Sequence, residues 1–128
     1  MLKKIGFALL YVVSACVTQA YATTNHVFTQ GPAVEYELLP NDPQVFSNVF
    51  FWGIKATCTI ISDVPNNVIA VKMLRKTGSV NDIQLNAGDG MTLLFQPNDK
   101  LYIYAESGAK VELMNLGDVT IRASCAAG

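Results

Sequence analysis

At 128 residues the chain is long enough for one domain, and 51% of its residues are hydrophobic. Ten acidic residues stand against nine lysines and arginines, which gives a formal net charge of −1. This balance argues against nucleic acid, and against an anionic membrane surface, as an electrostatic partner.

Residues 1–22 have the features of a secretory signal peptide. Lys3 and Lys4 precede an apolar run over residues 5–17, which is too short to span a bilayer as a mature helix. The small residues Ala20 and Ala22 fit the pockets of a signal peptidase. We therefore predict cleavage after Ala22 and export to the periplasm or beyond, which leaves seven basic residues against ten acidic ones, a net charge of −3.

The segment Val13-Ser14-Ala15-Cys16 offers an alternative cleavage site. It has the shape of a bacterial lipobox, with small residues before a cysteine that can be lipidated, although Val13 stands where leucine is usual. Lipidation at Cys16 would make the chain an outer-membrane lipoprotein, and membrane attachment is expected only in that case. In the other interpretation Cys16 is an ordinary apolar residue that is removed with the signal.

The rest of the exported chain divides into a leader and one domain. Residues 23–32 are polar with isolated apolar side chains, and we predict a flexible leader or, alternatively, an edge segment. A domain over residues 33–128 follows, in which short segments alternate between apolar and polar side chains, as half-buried strands do. The predicted strands cover residues 33–39, 48–62, 68–74, 82–85, 91–96, 100–106, 109–114 and 119–125.

The joints between these strands are short and rich in turn-forming residues, as at 97–99, 107–108 and 115–118. We predict antiparallel hairpins at these joints, because parallel crossovers need many more residues. No stretch of the exported chain has a sustained helical period with caps. The predicted fold is therefore all-β, an antiparallel β-sandwich of about eight short strands, immunoglobulin-like or jelly-roll-like.

The most apolar stretch, residues 48–62, contains Cys58, and the last predicted strand contains Cys125. The alternation places Cys58 on the face of Ile54 and Ile60. It places Cys125 on the face of Val119 and Ile121, so both cysteines are predicted to point inward. Two inward cysteines in an exported domain predict a disulfide, with a pair of buried free thiols as the alternative. A bridge across this span would contribute about 4 kcal/mol in chain-entropy terms.

Two aromatic features are candidates for an interface. Three large aromatics follow one another at Phe50, Phe51 and Trp52, and on a strand they cannot all face one core. Either both faces are covered, or Phe51 points outward with Trp52 as part of an interface, which we favour. Tyr102 and Tyr104 are two residues apart on a strand and face away from the aliphatic side chains. They form an exposed strip for a sugar or a protein, or they support cross-strand packing.

Candidate chemistry is otherwise sparse. His26 is the only histidine and lies in the predicted leader, so a nucleophile would have one weakly placed base. One histidine and two cysteines that are better used on each other do not make a zinc site. Asn-Asp pairs recur in the turns, where they suit calcium but are equally what β-turns prefer. We predict no catalytic residue, no metal site and no cofactor.

The sequence favours a non-catalytic exported module that binds a protein partner or associates with itself, for example in an envelope assembly. A secreted carbohydrate-binding module that uses Tyr102 and Tyr104 is the alternative, and a secreted enzyme inhibitor is another. A fold of this plan hosts many functions, so the choice depends on the surface.

Overall fold

The computed structural model describes residues 23–128, and the predicted signal peptide with Cys16 lies outside them. The described part of the chain contains eleven strands. In chain order they are β1 (Thr24–Val27), β2 (Val34–Leu38), β3 (Gln44–Ser47), β4 (Ile54–Ile61), β5 (Asn67–Arg75), β6 (Gly78–Val80), β7 (Ile83–Leu85), β8 (Gly90–Phe95), β9 (Lys100–Ala105), β10 (Lys110–Asn115) and β11 (Ile121–Ala127).

The strands form two sheets with one hydrophobic core. The six-stranded sheet has the order β2-β11-β4-β9-β6-β7, and the five-stranded sheet has the order β1-β3-β10-β5-β8. Buried side chains from both sheets make up a single cluster, because alternate residues of the longer strands point inward. The prediction of a mostly antiparallel all-β fold is confirmed. The strand count is eleven rather than about eight, since β1, β3 and β6 were not predicted.

The strand pairs are nested. β2 pairs with β11, β3 with β10, β4 with β9, β5 with β8, and β6 with β7, all antiparallel. The chain is therefore one long hairpin that folds over into two sheets. Apart from β6 and β7, every two consecutive strands lie in different sheets.

This topology corrects the hairpins predicted at residues 97–99, 107–108 and 115–118. Each of these joints carries the chain from one sheet to the other. Stacked sheets lie only about 10 Å apart, which a loop of two to four residues can span. Loop length excluded a parallel crossover within a sheet, but it does not distinguish a hairpin from a passage between sheets.

The loops that cross between the sheets gather at two ends of the molecule. We call one the aromatic end; its loops include residues 48–53, 76–77, 86–89 and 106–109. The opposite end is the acidic end, because each of its four loops contains one aspartate and no lysine or arginine. Those loops are residues 39–43, 62–66, 96–99 and 116–120, with Asp42, Asp63, Asp99 and Asp118.

The segment predicted as a flexible leader contains a strand. β1 pairs in parallel with β3 at the edge of the five-stranded sheet, and the amide of Phe28 donates to the Ser47 carbonyl at 2.9 Å. Phe28 is buried in the core and stacks on Phe46. The leader prediction for residues 23–32 is thus corrected toward its alternative, an edge segment. The physical reason is that Phe28 of this polar stretch lies in the core, whereas Val27 stays exposed.

The cystine is confirmed. Cys58 on β4 lies directly opposite Cys125 on β11, with 4.0 Å between their Cα atoms, and both are buried. It joins neighbouring strands of one sheet, whereas the immunoglobulin bridge joins two sheets. The predicted inward faces of β4 and β11 are also confirmed. Val119, predicted to share that inward face, lies in the preceding loop and is exposed.

Candidate functional site

Residues 48–53, here called the aromatic loop, connect β3 to β4 across the aromatic end. The sequence predicted strand structure over residues 48–62, but the first six residues of that stretch are irregular. The cause is Asn48, which is 1% exposed and uses its side chain on backbone groups. Its side-chain amide donates to the carbonyls of Trp52 and Ala105, at 2.9 and 3.0 Å. Its Oδ1 accepts from the backbone amide of Phe50 at 2.9 Å.

A second set of contacts holds the loop from the neighbouring connection between β9 and β10. The Ser107 hydroxyl donates to the Phe50 carbonyl at 2.6 Å. The backbone amide of Asn48 donates to the Ala109 carbonyl at 2.9 Å, and the backbone amide of Gly108 donates to the backbone carbonyl of Asn48 at 3.0 Å. Backbone groups that are paired in this way do not change conformation cheaply, so the loop has a defined shape before anything binds to it.

What the loop presents is apolar. Phe51 is 94% exposed, and Val49 and Trp52 are 61% and 52% exposed. Phe50 is half-buried against the core and stacks on Trp52 with 5.1 Å between ring centroids. The three aromatics were predicted on a strand and instead lie in the loop. The outward orientation of Phe51 agrees with the prediction, and it arises because the fixed backbone leaves this side chain without a neighbour.

The tyrosine strip adjoins the loop. Tyr102 and Tyr104 lie on β9 with their side chains on the outer face of the six-stranded sheet, opposite the buried Leu101 and Ile103. A Cβ atom at Gly53 would overlap the ring and hydroxyl of Tyr104. Tyr104 therefore lies directly on the last residue of the aromatic loop. We call the four side chains of Phe51, Trp52, Tyr102 and Tyr104 the aromatic surface.

Beside the tyrosines the outer face of the sheet is concave and polar. A groove of about 290 Å³ runs along Tyr102 and Tyr104. Hydrogen-bonding side chains border it, namely Lys55, Thr57, Ser79 and Asp82. A second depression of about 320 Å³ lies on the β6–β7 side of Tyr104 and adds Gln84. Aromatic rings next to convergent polar groups suit ligands that have both apolar faces and hydroxyl groups.

His26, the one base considered from the sequence, has structural contacts. Its ring stacks on Phe46 at 4.9 Å and meets the edge of Tyr36 at 4.8 Å. Its Nε2 lies 2.7 Å from Oε1 of Gln44, whose amide in turn donates to Asp42 at 3.0 Å. The ring therefore helps to hold β1 and β2 together. Burial raises the pKa of the Tyr36 hydroxyl in the same cluster.

Among residues 23–128 no three His, Cys, Asp or Glu side chains are placed to hold a metal ion together. The same part of the chain has no helix of the length and apolarity needed to cross a membrane.

The chain matches no protein-family model, no curated protein and no solved structure. What the aromatic surface does is therefore inferred from its own chemistry.

Two neighbouring elements carry the four residues that the sequence singled out as interface candidates. Phe51 and Trp52 come from the loop after β3, Tyr102 and Tyr104 come from β9, and the two elements meet where Gly53 lies against the Tyr104 ring. Sequence reasoning missed the two residues that organise this surface. Asn48 could have been identified from the sequence, because a polar residue within the most apolar stretch needs hydrogen-bond partners for its side-chain amide. Gly53 leaves room for Tyr104, and this role depends on a strand that is distant in sequence.

Proposed function

We propose that this chain is an exported bacterial module without catalytic activity, which acts by binding protein through the aromatic surface, as part of an envelope assembly. The observation that carries the proposal is Phe51, whose side chain is almost fully exposed on a loop with fixed backbone. Large aromatics on a pre-organised support are the residues that dominate binding energy in protein interfaces.

Export is supported by the sequence of residues 1–22 and by the cystine, because structural disulfides belong to oxidising compartments. The destination is the periplasm or the medium, with lipidation at Cys16 and attachment to the outer membrane as the alternative route. The intact mass of the protein from its host separates these cases. A chain that starts at Thr23 supports the soluble form, and one that starts at an acylated Cys16 supports the lipoprotein.

The sandwich type that we favour is jelly-roll-like rather than immunoglobulin-like. The support is the nested pairing of β3 with β10, β4 with β9, β5 with β8, and β6 with β7, divided between two sheets. A long hairpin that folds over in this way is the plan of a double-sheet jelly roll. A cystine within one sheet also differs from the immunoglobulin arrangement.

A matched pair of variants tests the binding role. Chemical cross-linking in envelope preparations is compared for the wild type, for Phe51→Asp, and for Leu94→Asp, which changes an exposed residue on the outer face of the other sheet. We expect Phe51→Asp to lose the cross-linked species and Leu94→Asp to keep them. Equal cross-linking of all three proteins would contradict the proposal.

A carbohydrate-binding role is the second candidate, and the groove along Tyr102 and Tyr104 is the observation that favours it. A sugar would stack on a tyrosine ring and exchange hydrogen bonds with Lys55, Ser79 or Asp82. Binding on a glycan array that Tyr102→Ala abolishes and Phe51→Asp preserves would favour this role. Binding to no glycan would remove it and leave the protein-binding role in place.

A further inference from the structure

Basic side chains surround the aromatic loop. Of the seven lysines and arginines in residues 23–128, four lie at the aromatic end: Lys55, Arg75, Lys76 and Lys110. Arg75 and Lys110 line one depression of about 280 Å³ together with Phe51. Two acidic side chains lie at this end, and both hold local structure. Glu106 accepts from the Thr77 hydroxyl, and Asp89 accepts from the Asn86 amide at 2.9 Å.

The acidic end has the opposite charge. Its four loops carry Asp42, Asp63, Asp99 and Asp118, while Glu37, Lys100 and Arg122 lie in the adjoining strands. Two of the aspartates are fixed in direction. Asp42 accepts from the Gln44 side chain at 3.0 Å, and Asp99 accepts from the Gln96 amide at 2.7 Å.

Apolar side chains are exposed at the acidic end as well as at the aromatic end. Leu39, Leu116 and Val119 all project from its loops. Each end of the molecule thus combines exposed apolar side chains with an excess of one sign of charge, and the excess is positive at one end and negative at the other. The two ends are therefore complementary in charge, as the two sides of a protein interface need to be.

We infer that the aromatic end of one copy docks on the acidic end of a second copy. This inference rests on the proposed protein-binding function and names the partner of the same surface. Phe51 and its apolar neighbours would pack against Leu39, Leu116 and Val119, while Arg75 and Lys110 face Asp63 and Asp118. The contact is heterologous, so repetition gives an open filament or a closed ring rather than a dimer.

A second copy accounts for more of the molecule than a bilayer does. An anionic bilayer would use the basic aromatic end but would leave the apolar acidic end unexplained. The net charge of −3 after removal of residues 1–22 also opposes approach to an anionic membrane. A second copy carries the same net charge, but it uses both ends and brings regions of opposite charge together.

One-sided variants test the docking. Phe51→Asp blocks the aromatic end and leaves the acidic end intact, whereas Asp63→Lys/Asp118→Lys blocks the acidic end and leaves the aromatic end intact. Sedimentation velocity of residues 23–128, with the disulfide formed, measures association over a range of concentrations. We expect the wild type to form species larger than a dimer and each variant alone to be a monomer. An equimolar mixture of the two variants should give a dimer and nothing larger.

Controls separate this result from general effects of charge. Thr92→Asp adds the same charge at an exposed position in the middle of β8, and we expect it to associate like the wild type. Raising the salt from 0.1 to 1 M shortens the screening length from about 10 to about 3 Å and should weaken the wild-type association. Circular dichroism checks that each variant is folded.

Three outcomes would overturn the inference. The first is a wild type that stays monomeric at every concentration. The second is a dimer formed by Asp63→Lys/Asp118→Lys alone, which would show a symmetric contact between two aromatic ends. The third is a monomeric wild type that floats with anionic phosphatidylglycerol vesicles, which would assign the aromatic end to a membrane. A monomeric wild type whose envelope cross-links still require Phe51 would retain the proposed function with a different protein partner.

Discussion

The two ends of the molecule are built by the same device and present different chemistry. At the aromatic end the buried Asn48 holds the loop after β3 and accepts a hydrogen bond from the Phe50 amide at 2.9 Å. At the acidic end the buried Asn115 does the same for the loop after β10. Its amide donates to the Leu38 and Val119 carbonyls, and its Oδ1 accepts from the Gly117 amide at 2.8 Å.

The comparison distinguishes the residues that hold the loops in place from the residues that the loops expose. A buried asparagine satisfies polar backbone groups where the chain leaves one sheet and enters the other, as Asn48 and Asn115 do at these two crossings. The need for these hydrogen bonds does not determine which side chains the loop exposes. One end presents Phe51 and Trp52 among cations, and the other presents aspartates among aliphatic side chains. The surface chemistry therefore carries the functional information.

The cystine supports both ends alike, and its removal should have the largest effect. We expect Cys58→Ala/Cys125→Ala to lower the free energy of unfolding by about 4 kcal/mol, because the unfolded chain regains the freedom that the bridge removes. Urea denaturation measures this loss. A loss below about 1 kcal/mol would contradict the role given to the bridge.

Asn48→Ala and Asn115→Ala distinguish the two ends. Each should cost about 2–3 kcal/mol, since buried carbonyls lose their donor. Amide hydrogen exchange then shows which end has loosened. We expect Asn48→Ala to abolish protection at the Phe50 amide and to preserve it at the Gly117 amide, and Asn115→Ala to do the reverse. Loss of protection at both ends in either variant would show that the ends are not independent.

Gly53→Ala tests the link between the loop and the tyrosine strip. The added methyl group overlaps Tyr104, so we expect a cost of about 1–3 kcal/mol from the forced rearrangement. Tyr104→Ala should remove most of that cost, which a double-mutant cycle measures as a coupling between the two positions. Additive effects would mean that Tyr104 does not lie on Gly53.

Phe51→Asp should have the smallest effect on stability. An almost fully exposed side chain contributes little to the folded state, so we expect a change within about 0.5 kcal/mol. The same variant is expected to lose binding, which would separate the function of this residue from folding. A large loss of stability would mean that Phe51 is part of the framework after all.

The sequence predicted the faces of the strands well, because alternation is a local signal. The inward Cys58 and Cys125, the outward Tyr102 and Tyr104, and the resulting cystine all follow from period-two patterns. The partner of each strand does not follow from local patterns. Whether residues 107–108 turn back within a sheet or pass to the other sheet depends on which sheet offers the core position, and that is a long-range property.

Two of the three strands that were not predicted, β1 and β3, were missed for different reasons. β1 has only His26 and Val27 as bulky side chains, and its hydrogen bonds to β3 depend on a segment 20 residues away in sequence. β3 covers only four residues, of which Gln44, Val45 and Phe46 are all buried, so it has no alternating pattern to indicate a strand. The segregation of charge could not be predicted either, because residues as distant as Lys55 and Lys110 meet at one end only through the nested topology.

The central claim is that the aromatic surface is where this chain meets a protein partner. Site-specific photo-cross-linking in the native envelope tests it most directly, with the photoreactive residue placed at position 51 and, as a matched control, at position 94. We predict protein cross-links from position 51, either to another copy or to a second protein, and few from position 94. Equal labelling from both positions, or labelling from position 94 alone, would contradict the claim.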